Sequence, residues 1–236
     1  MQEFENKNCY ITGAASGIGR SFALALAKKG MNLFISDVNI EGLEQVKKEI
    51  EQTGRIVHTM KCDVSKLSDI ENTAKSFYSK LGDVDLLINN AGIGRGVNLA
   101  NMNLENWTKV LEVNLWSVIY SLKVFLPRML ELKSGHIVNI ASGAGLFGSA
   151  EPLSYITSKF AVVGLSEGLF ARLKPFGINV SVVAPAFIRT NIFHKGLESF
   201  EYNPQMLKDF GKEKLDEAYS SMMDNLMDTA MSPDVA

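Results

Sequence analysis

Residues 8–20 read NCYITGAASGIGR, a short apolar run that passes into a glycine-rich segment and then into an apolar pattern of helical period. The apolar run predicts a buried strand over residues 8–12, and the pattern from Gly17 onward predicts a helix. A strand, a glycine-rich turn and a helix in this order make the first half of a βαβ unit. The segment therefore predicts a parallel sheet whose strands are connected by helices.

The same alternation continues along the chain. Most apolar runs are apolar at consecutive positions, which is typical of strands covered on both faces. Besides the first, strands are predicted at residues 32–37, 55–62, 86–89, 136–141 and 179–184, and helices at 17–29, 40–52, 66–81, 104–131 and 153–175. We therefore expect an α/β fold in which a doubly wound parallel sheet is flanked by helices on both faces.

The composition limits the class of protein. A length of 236 residues with 46% hydrophobic and 21% charged residues favours one globular domain over residues 1–236. A formal net charge of −2 provides no basic field, so no nucleic acid partner is expected. The polar start lacks a secretory signal and no stretch predicts a membrane span, which favours a cytoplasmic protein. The two cysteines, Cys9 and Cys62, are too few for a disulfide framework, so we expect reduced, buried thiols. The histidines and cysteines show no metal-ligand spacing, so no metal is expected.

The glycines of the quoted stretch stand where a phosphate can be held. Glycine permits a tight turn and lets backbone N–H groups approach a ligand, and the start of a helix carries a partial positive charge. Gly13, Gly17 and Gly19 therefore form a candidate cradle for the pyrophosphate of a dinucleotide. The alternative is that these glycines only make the turn from strand to helix.

Asp37 ends the second predicted strand, about 20 residues beyond the cradle, where dinucleotide-binding sites place an acid. Its carboxylate can accept hydrogen bonds from both hydroxyls of an adenosine ribose and would repel a 2′-phosphate. No Lys or Arg follows it along the chain before Lys47. The pattern favours NAD over NADP, unless Asp37 only caps the helix that begins near Ile40.

Tyr155 and Lys159 lie one helical turn apart in a segment of helical period, so their side chains project from the same face. An ammonium group near a phenol lowers the pKa of the phenol, which lets it exchange a proton near neutral pH. Taken alone, this spacing is usually a solvated surface pair. Ser142, however, follows the strand predicted at 136–141, and ligands of parallel sheets lie beyond the carboxyl ends of the strands.

Together these features resemble the short-chain dehydrogenase/reductase family over residues 7 to about 192. The turn from Thr12 to Gly19 is similar to the family's Thr-Gly-x-x-x-Gly-x-Gly cofactor motif, and residues 89–92 match its Asn-Asn-Ala-Gly stretch. The resemblance implies a Rossmann-like sheet and NAD as cofactor. The residues that it assigns to the cofactor are Gly13, Ser16, Gly17, Ile18, Gly19, Asp37, Val38, Cys62, Asp63, Val64, Asn90, Ala91, Gly92, Tyr155, Lys159, Pro185, Ile188 and Thr190.

The resemblance also implies a catalytic tetrad of Asn114, Ser142, Tyr155 and Lys159. Tyr155 would be the general acid/base, and Ser142 would position the substrate oxygen. Lys159 would lower the pKa of Tyr155 and hold the nicotinamide ribose. Asn114 would interrupt the hydrogen bonding of the long helix and support a water molecule that relays protons to Lys159.

Two departures from the family pattern affect the site and the chain end. Pro185 is followed by Ala186 instead of glycine, which is expected to narrow the space over the nicotinamide. Family members commonly continue through another helix and a seventh strand, so a truncated C-terminus is expected here. Residues 191–230 are rich in methionine and aromatic side chains, which predicts either an ordinary core helix or a substrate lid with an adaptable apolar face.

The expected activity is the NAD-dependent, reversible oxidation of a secondary alcohol to a ketone. Leu146, Phe147 and Phe187, near the expected site, favour a hydrophobic small-molecule substrate. Two alternatives are an NADPH-dependent reductase of 3-oxoacyl thioesters on an acyl carrier and a non-catalytic NAD-binding sensor. The helices predicted at 104–131 and 153–175 are apolar over more than one face, which predicts a homodimer or homotetramer.

Overall fold

The computed structural model of the chain describes residues 4–94, 102–148, 152–186 and 204–233. In these ranges six strands form one parallel sheet in the order β3-β2-β1-β4-β5-β6. The strands are β1 (Asn8–Thr12), β2 (Asn32–Asp37), β3 (Val57–Lys61), β4 (Leu86–Asn89), β5 (Gly135–Ile140) and β6 (Ile178–Val183). The doubly wound parallel sheet expected from the sequence is confirmed, and the order reverses between β1 and β4.

Helices cover both faces of the sheet. They are α1 (Gly17–Lys28), α2 (Ile40–Glu51), α3 (Leu67–Leu81), α4 (Leu104–Leu111), α5 (Ser117–Leu132), α6 (Leu153–Leu173), α7 (Pro204–Phe210) and α8 (Lys212–Thr229). Short 3₁₀ turns cover Gly143–Gly145 and Lys174–Phe176. The sequence predicted one helical stretch over 104–131, in which the family resemblance implied an interruption at Asn114; a π-helical turn at Glu112–Trp116 separates α4 from α5 there.

Successive residues of the strands supply two separate cores. In β1, Cys9 and Ile11 point into a cluster with α1 and α2, whereas Tyr10 points into a second cluster with α3, α5 and α6. This alternation of side chains across a strand is why consecutive apolar residues indicate cover on both faces. Both thiols, Cys9 and Cys62, are buried.

Helices α4 and α5, joined by the π turn, form one apolar stretch over Leu104–Leu132 that is long enough to cross a bilayer by length and composition. Its apolar character has a local explanation. Val118, Leu122, Phe125 and Met129 are buried in the second cluster against the sheet. A core helix that packs on a sheet needs such a composition.

Candidate active site

The candidate site residues lie where the strands end. Gly13 follows β1, Asp37 ends β2, Asp63 follows β3 and Asn90 follows β4. Ser142 lies beyond β5 in the same way. Since the strands are parallel, their carboxyl ends meet at one edge of the sheet, beside the point where the strand order reverses. Residues far apart in sequence therefore share one cleft.

The glycine-rich turn has the backbone that its sequence requires. Gly13 and Gly17 have positive φ values of 67° and 55°, which side chains disfavour. Helix α1 begins at Gly17, and its N-cap Ser16 makes no side-chain capping hydrogen bond. With no acidic residue in its first turn, the helix presents the partial positive charge of its N-terminus to the cleft.

Asn90 and Thr12 fasten the turn to the end of β4. The amide Nδ2 of Asn90 donates to the carbonyl oxygens of Thr12 and Gly13, both at 2.9 Å. In return, the hydroxyl of Thr12 accepts from the backbone N–H groups of Asn90 at 3.0 Å and Ala91 at 3.1 Å. The turn is therefore fixed by hydrogen bonds to a neighbouring strand.

The space around the turn leaves no room for side chains. A Cβ at Gly13 would lie 2.7 Å from Cα of Ala91, and a Cβ at Gly19 would overlap the carbonyl oxygen of Gly13 and Nδ2 of Asn90. Only glycine allows this approach. A backbone cradle at a helix N-terminus suits a pyrophosphate, so these residues could hold the phosphates of a dinucleotide.

Asp37 faces the glycine-rich turn with its carboxylate. One oxygen accepts from the N–H of Ala15 at 3.1 Å, and the other accepts from the N–H of Asn39 at 3.0 Å. Helix α2 is instead capped by Asn39, whose side chain accepts from the N–H of Gly42. Asp37 is therefore not the helix cap, and its carboxylate lies beside the glycine-rich turn. Val38 beside it is exposed.

The segment after β3 lies at the same edge of the sheet as the glycine-rich turn and Asp37. Cys62 and Val64 are buried, and Asp63 accepts from the N–H and hydroxyl of Ser65 at 3.1 and 2.6 Å. Burial opposes ionisation of Asp63, but the bonds from Ser65 and the nearby Lys109 and Lys66 outweigh it and lower the pKa of this carboxyl. A charged carboxylate is thus held at the rim of the cleft.

Helix α6 brings Tyr155 and Lys159 together. Both side chains are buried on one face of the helix, and Nζ of Lys159 lies 5.6 Å from the centre of the Tyr155 ring. Burial lowers the pKa of Lys159 to about 8. At pH 7 the ammonium form still predominates, and it stabilises a nearby tyrosinate relative to tyrosine.

The Lys159 ammonium is enclosed by backbone from two other elements. Its Nζ donates to the carbonyl oxygen of Ile140 at 3.0 Å. A Cβ at Gly92 would lie 3.4 Å from that Nζ and 3.5 Å from Oδ1 of Asn114, so both side chains lie beside the same point of the Asn-Asn-Ala-Gly stretch. Lys159 and Asn114 are therefore neighbours beside residue 92.

Asn114 lies at the centre of the π-helical turn and is fully buried. Its Oδ1 accepts from the N–H of Ile93 at 2.8 Å, and its Nδ2 donates to the carbonyl of Ile93 and to Oγ of Ser158, both at 3.0 Å. Ser158 in turn donates to the carbonyl of Tyr155 at 2.7 Å. The break in α-helical bonding thus coincides with contacts that join the loop after β4 to the Tyr155 helix.

Ser142 begins the 3₁₀ turn that packs on α6. Its hydroxyl oxygen accepts from the N–H of Ala144 at 3.2 Å, which leaves the hydroxyl hydrogen available as a donor. The turn lies very close to the helix, since a Cβ at Gly145 would be 2.7 Å from the carbonyl oxygen of Lys159. The four residues of the expected tetrad are therefore connected through direct contacts of their own segments.

The last expected cofactor segment follows β6. Pro185 accepts from the N–H of Gly143 at 2.8 Å, which joins this segment to the Ser142 turn. Ala186, the next residue, lies near Gly143: a Cβ at Gly143 would be 3.9 Å from Cα of Ala186. Ile188, Thr190 and Phe187 lie outside the described residues. Within the described part of the chain, no group of three or more His, Cys, Asp or Glu side chains is placed to hold a metal.

Two residues at the site, Ser158 and Lys61, were missed by the sequence analysis, and Thr12 was quoted only as the start of the glycine-rich motif. Thr12 and Ser158 hold the turn and the Tyr155 helix by hydrogen bonds to residues distant in sequence, a role that no periodic pattern reveals. Lys61 is the Cα partner of Asp37 on the neighbouring strand, although it is remote along the chain. Parallel pairing between β2 and β3, both predicted, was the signal that could have indicated it.

The profile of the short chain dehydrogenase family matches residues 7–199. The chain belongs to this family. Retinol dehydrogenase 10-B of Danio rerio is 36% identical over 212 residues, which cover 80% of this chain and 63% of that protein. The chain therefore spans less than two thirds of that relative.

Two bacterial family members cover more of their own length. The 3-oxoacyl-[acyl-carrier-protein] reductase FabG of Thermotoga maritima is 35% identical over 81% of this chain and 78% of its own. The cyclohexanol dehydrogenase of an Acinetobacter species is 36% identical over 80% and 75%. The chain is thus similar to oxidoreductases with different substrates.

Solved structures of short-chain dehydrogenases share the fold. A Burkholderia phymatum member in complex with NAD has a TM-score of 0.85 and 32% identity, covering 99% of this chain and 84% of that chain. A metagenomic member in complex with NADP has a TM-score of 0.74 and 33% identity, covering 77% and 83%. Nicotinamide dinucleotides of both kinds thus occur in this family.

Proposed function

We propose that this short-chain dehydrogenase is an NAD(H)-dependent oxidoreductase that interconverts a hydrophobic secondary alcohol and the corresponding ketone. The observation that carries the proposal is the buried pair of Tyr155 and Lys159, with Nζ 5.6 Å from the ring centre, beside the carboxyl end of β5. A cation held this close to a phenol prepares it to accept and donate a proton. The adjoining glycine-rich cradle supports a dinucleotide as the partner in the reaction.

In the proposed mechanism, Ser142 donates a hydrogen bond to the substrate oxygen and orients it toward Tyr155. During oxidation, the Tyr155 oxygen accepts the hydroxyl proton of the alcohol; during reduction, it returns a proton to the carbonyl oxygen. The nicotinamide, when bound, supplies the acceptor or donor of the hydride. The Lys159 ammonium, held by the carbonyl of Ile140, stabilises tyrosinate and holds the nicotinamide ribose. Asn114 keeps the loop after β4 against this centre.

The preference for NAD rests on Asp37. Its carboxylate faces the turn at Ala15, where it accepts hydrogen bonds from the ribose hydroxyls of NAD and repels the 2′-phosphate of NADP. We expect Asp37→Ala to weaken NAD binding and strengthen NADP binding. The dissociation constant of NADPH divided by that of NADH should fall by about tenfold or more, since loss of a charged hydrogen-bond acceptor costs roughly 1.5–3 kcal/mol. Fluorescence titration with NADH and NADPH measures the ratio.

Glu41 offers a matched control for this titration. It carries the same charge in the first turn of α2 but is exposed. Glu41→Ala is expected to leave the ratio unchanged. An unaltered ratio in Asp37→Ala would remove this carboxylate from the adenosine site.

A hydrophobic substrate is supported by the rim of the cleft. Leu146 and Phe147, directly after the Ser142 turn, are 57% and 63% exposed in this chain. Large apolar side chains that remain exposed beside a catalytic group favour apolar ligands. The names of two relatives, a retinol dehydrogenase and a cyclohexanol dehydrogenase, are consistent with this class.

A substrate screen tests the proposed activity. Purified protein with NAD is supplied with the secondary alcohols cyclohexanol, 1-phenylethanol, 2-propanol and 3-hydroxybutyrate, and NADH formation is followed by fluorescence. We expect turnover with the larger apolar alcohols and little with the small charged one. Turnover confined to 3-hydroxybutyrate would contradict the apolar substrate class, and no turnover with any alcohol or its ketone would favour a non-catalytic NAD-binding sensor.

The second candidate function is an NADPH-dependent reductase of 3-oxoacyl thioesters. Two observations favour it: the similarity to the Thermotoga maritima reductase, and the position of Lys61 beside Asp37 on the neighbouring strand, where a cation could approach a 2′-phosphate. Reduction of acetoacetyl-coenzyme A with NADPH, at a higher rate than alcohol oxidation with NAD, would select this candidate.

We further propose a cytoplasmic single-domain protein that forms a homodimer or homotetramer. Support for assembly comes from large apolar side chains that are exposed on α6, among them Leu153, Phe160 and Phe170. Covering them in a symmetric helix pair would remove this apolar surface from water. Light scattering on the purified protein determines the mass.

The proposed lid, residues 191–230, includes α7 and α8, whereas residues 191–203 lie outside the described part.

A further inference from the structure

A chain of buried polar side chains crosses from the sheet to helix α6, away from the proposed reacting groups. Nδ2 of Asn89 in β4 donates to Oδ1 of Asn139 in β5 at 2.8 Å. Nδ2 of Asn139 donates to Oγ of Ser166 in α6 at 2.9 Å, and Ser166 donates to the carbonyl of Val162 at 2.7 Å. The three polar residues are at most 5% exposed.

The chain of bonds is directional. Asn139 accepts through Oδ1 and donates through Nδ2, and the single hydroxyl hydrogen of Ser166 is used on Val162, so its oxygen is left to accept. Buried amides are costly unless they are hydrogen-bonded. A shift of α6 along β5 would break the bond to Ser166, so the polar chain favours one axial position of the helix. An apolar interface would specify this position less sharply.

The second attachment of α6 to β5 is Lys159 itself. Ser166 lies two helical turns beyond Lys159, and both side chains are on the buried face of α6. Asn139 binds Ser166 by its side chain, and the adjacent Ile140 accepts from Nζ of Lys159 by its carbonyl oxygen. Two neighbouring residues of β5 therefore hold two points of the same helix.

We infer that Asn139 and Ser166 are positioning residues that fix where the Lys159 ammonium stands relative to Tyr155 and the end of β5. The inference rests on the proposed roles of Tyr155 and Lys159. The polar chain also reaches the cofactor side, because Asn89 directly precedes Asn90, which holds the glycine-rich turn. It thereby joins the helix of the proton-exchanging pair to the strand that fastens the cradle.

The pH dependence of alcohol oxidation reports the position of the ammonium. Facing Nζ of Lys159 from the described elements are the Tyr155 ring, the Ile140 carbonyl, Gly92 and Asn114, of which only Tyr155 titrates. Oxidation requires Tyr155 to accept a proton, so the rate rises with pH through the pKa of the pair. If the ammonium moves away, tyrosinate is less stabilised and the rising limb moves to higher pH.

The test variant is Ser166→Ala, studied as the full chain with NAD and cyclohexanol, or with the alcohol that gives the highest rate. We expect kcat at pH 7 to fall about five- to tenfold, as for loss of one buried hydrogen bond, with the rising limb of kcat shifted upward by roughly half to one pH unit. The dissociation constant of NADH should change less than kcat, since the cradle is intact and only the contact of Lys159 with the nicotinamide ribose is displaced. Ser166→Thr, which keeps the hydroxyl, is expected to return the rising limb of the kcat pH profile to its wild-type position.

Ser121→Ala is the matched control. Ser121 is a buried helical serine of α5 whose hydroxyl has no hydrogen-bond partner among the described residues. Its removal should leave both kcat and the limb unchanged. Asn139→Leu should shift the limb as Ser166→Ala does, and the double variant should add little, since both changes break the same bond.

The inference would be overturned if Ser166→Ala lowered the melting temperature but left the rising limb of the kcat pH profile in place, because a purely structural role predicts that result. Failure of the proposed function is distinguishable, since it would appear as no turnover of any alcohol by the wild type, or as a Tyr155→Phe variant that keeps wild-type activity. An inactive Tyr155→Phe together with an unmoved limb in Ser166→Ala rejects only the positioning role.

Discussion

Tyr155→Phe is expected to lower turnover by roughly a thousandfold while NADH binding is retained, because positioned general acid/base groups contribute about 10²–10⁴ in rate. The ring is buried, and phenylalanine fills the same space against Lys159. Only the hydroxyl that exchanges the proton is lost. Steady-state rates in both reaction directions and NADH titration by fluorescence measure the two quantities separately.

Tyr78→Phe is the control for this substitution. Tyr78 lies in α3 with a buried hydroxyl that has no hydrogen-bond partner among the described residues, and burial raises its pKa to about 12. Its variant should keep wild-type activity and be no less stable, because no hydrogen bond is lost. A near-wild-type rate in Tyr155→Phe would exclude that hydroxyl from the proton transfer.

Gly19→Ala is expected to abolish measurable cofactor binding, raising the dissociation constant of NADH by about a hundredfold or more, and to destabilise the fold by roughly 1–3 kcal/mol. The added methyl group would overlap the carbonyl oxygen of Gly13 and Nδ2 of Asn90. Since that amide fastens the turn to β4, its displacement would move the backbone N–H groups away from the pyrophosphate. NADH titration and urea denaturation measure the two effects.

Gly164→Ala adds the same group to a helix where, apart from the neighbouring backbone of that helix, no described atom lies within 4 Å of the new carbon. NADH affinity should be unchanged in this variant, because the position lies in α6, outside the cradle. If Gly19→Ala bound NADH as tightly as the wild type, the glycine-rich turn would not be the phosphate site.

Strand positions were predicted well from the sequence, because burial on both faces gives an unbroken apolar run. β1, β2 and β4 begin and end where predicted, and the other strands differ by one or two residues. The positive φ of Gly13 and the nearness of Tyr155 and Lys159 were also accessible, since one follows from turn chemistry and the other from helical period.

Contacts between distant segments were not accessible in this way. The π-helical turn at Glu112–Trp116 interrupts an apolar pattern that continues without change, so only the family resemblance indicated the interruption at Asn114. The bonds of this asparagine to a loop and to another helix were not indicated at all. The bonds of Asn139 and Ser166 depend on the axial position of a helix on a sheet. Such contacts are set by tertiary packing, which local propensity and periodicity do not encode.

The hydrogen bonds between Asn90 and Thr12 have a kinetic consequence for ligand capture. Because these bonds are made between groups of the chain itself, they restrict the glycine-rich loop without help from a ligand, and we expect little conformational freedom to be lost on association. The loop acts as a rigid receptor, and entry of the dinucleotide should occur as one bimolecular step without a slow rearrangement of this segment. Variation in affinity among substitutions near the loop should then appear chiefly as faster departure of the nucleotide.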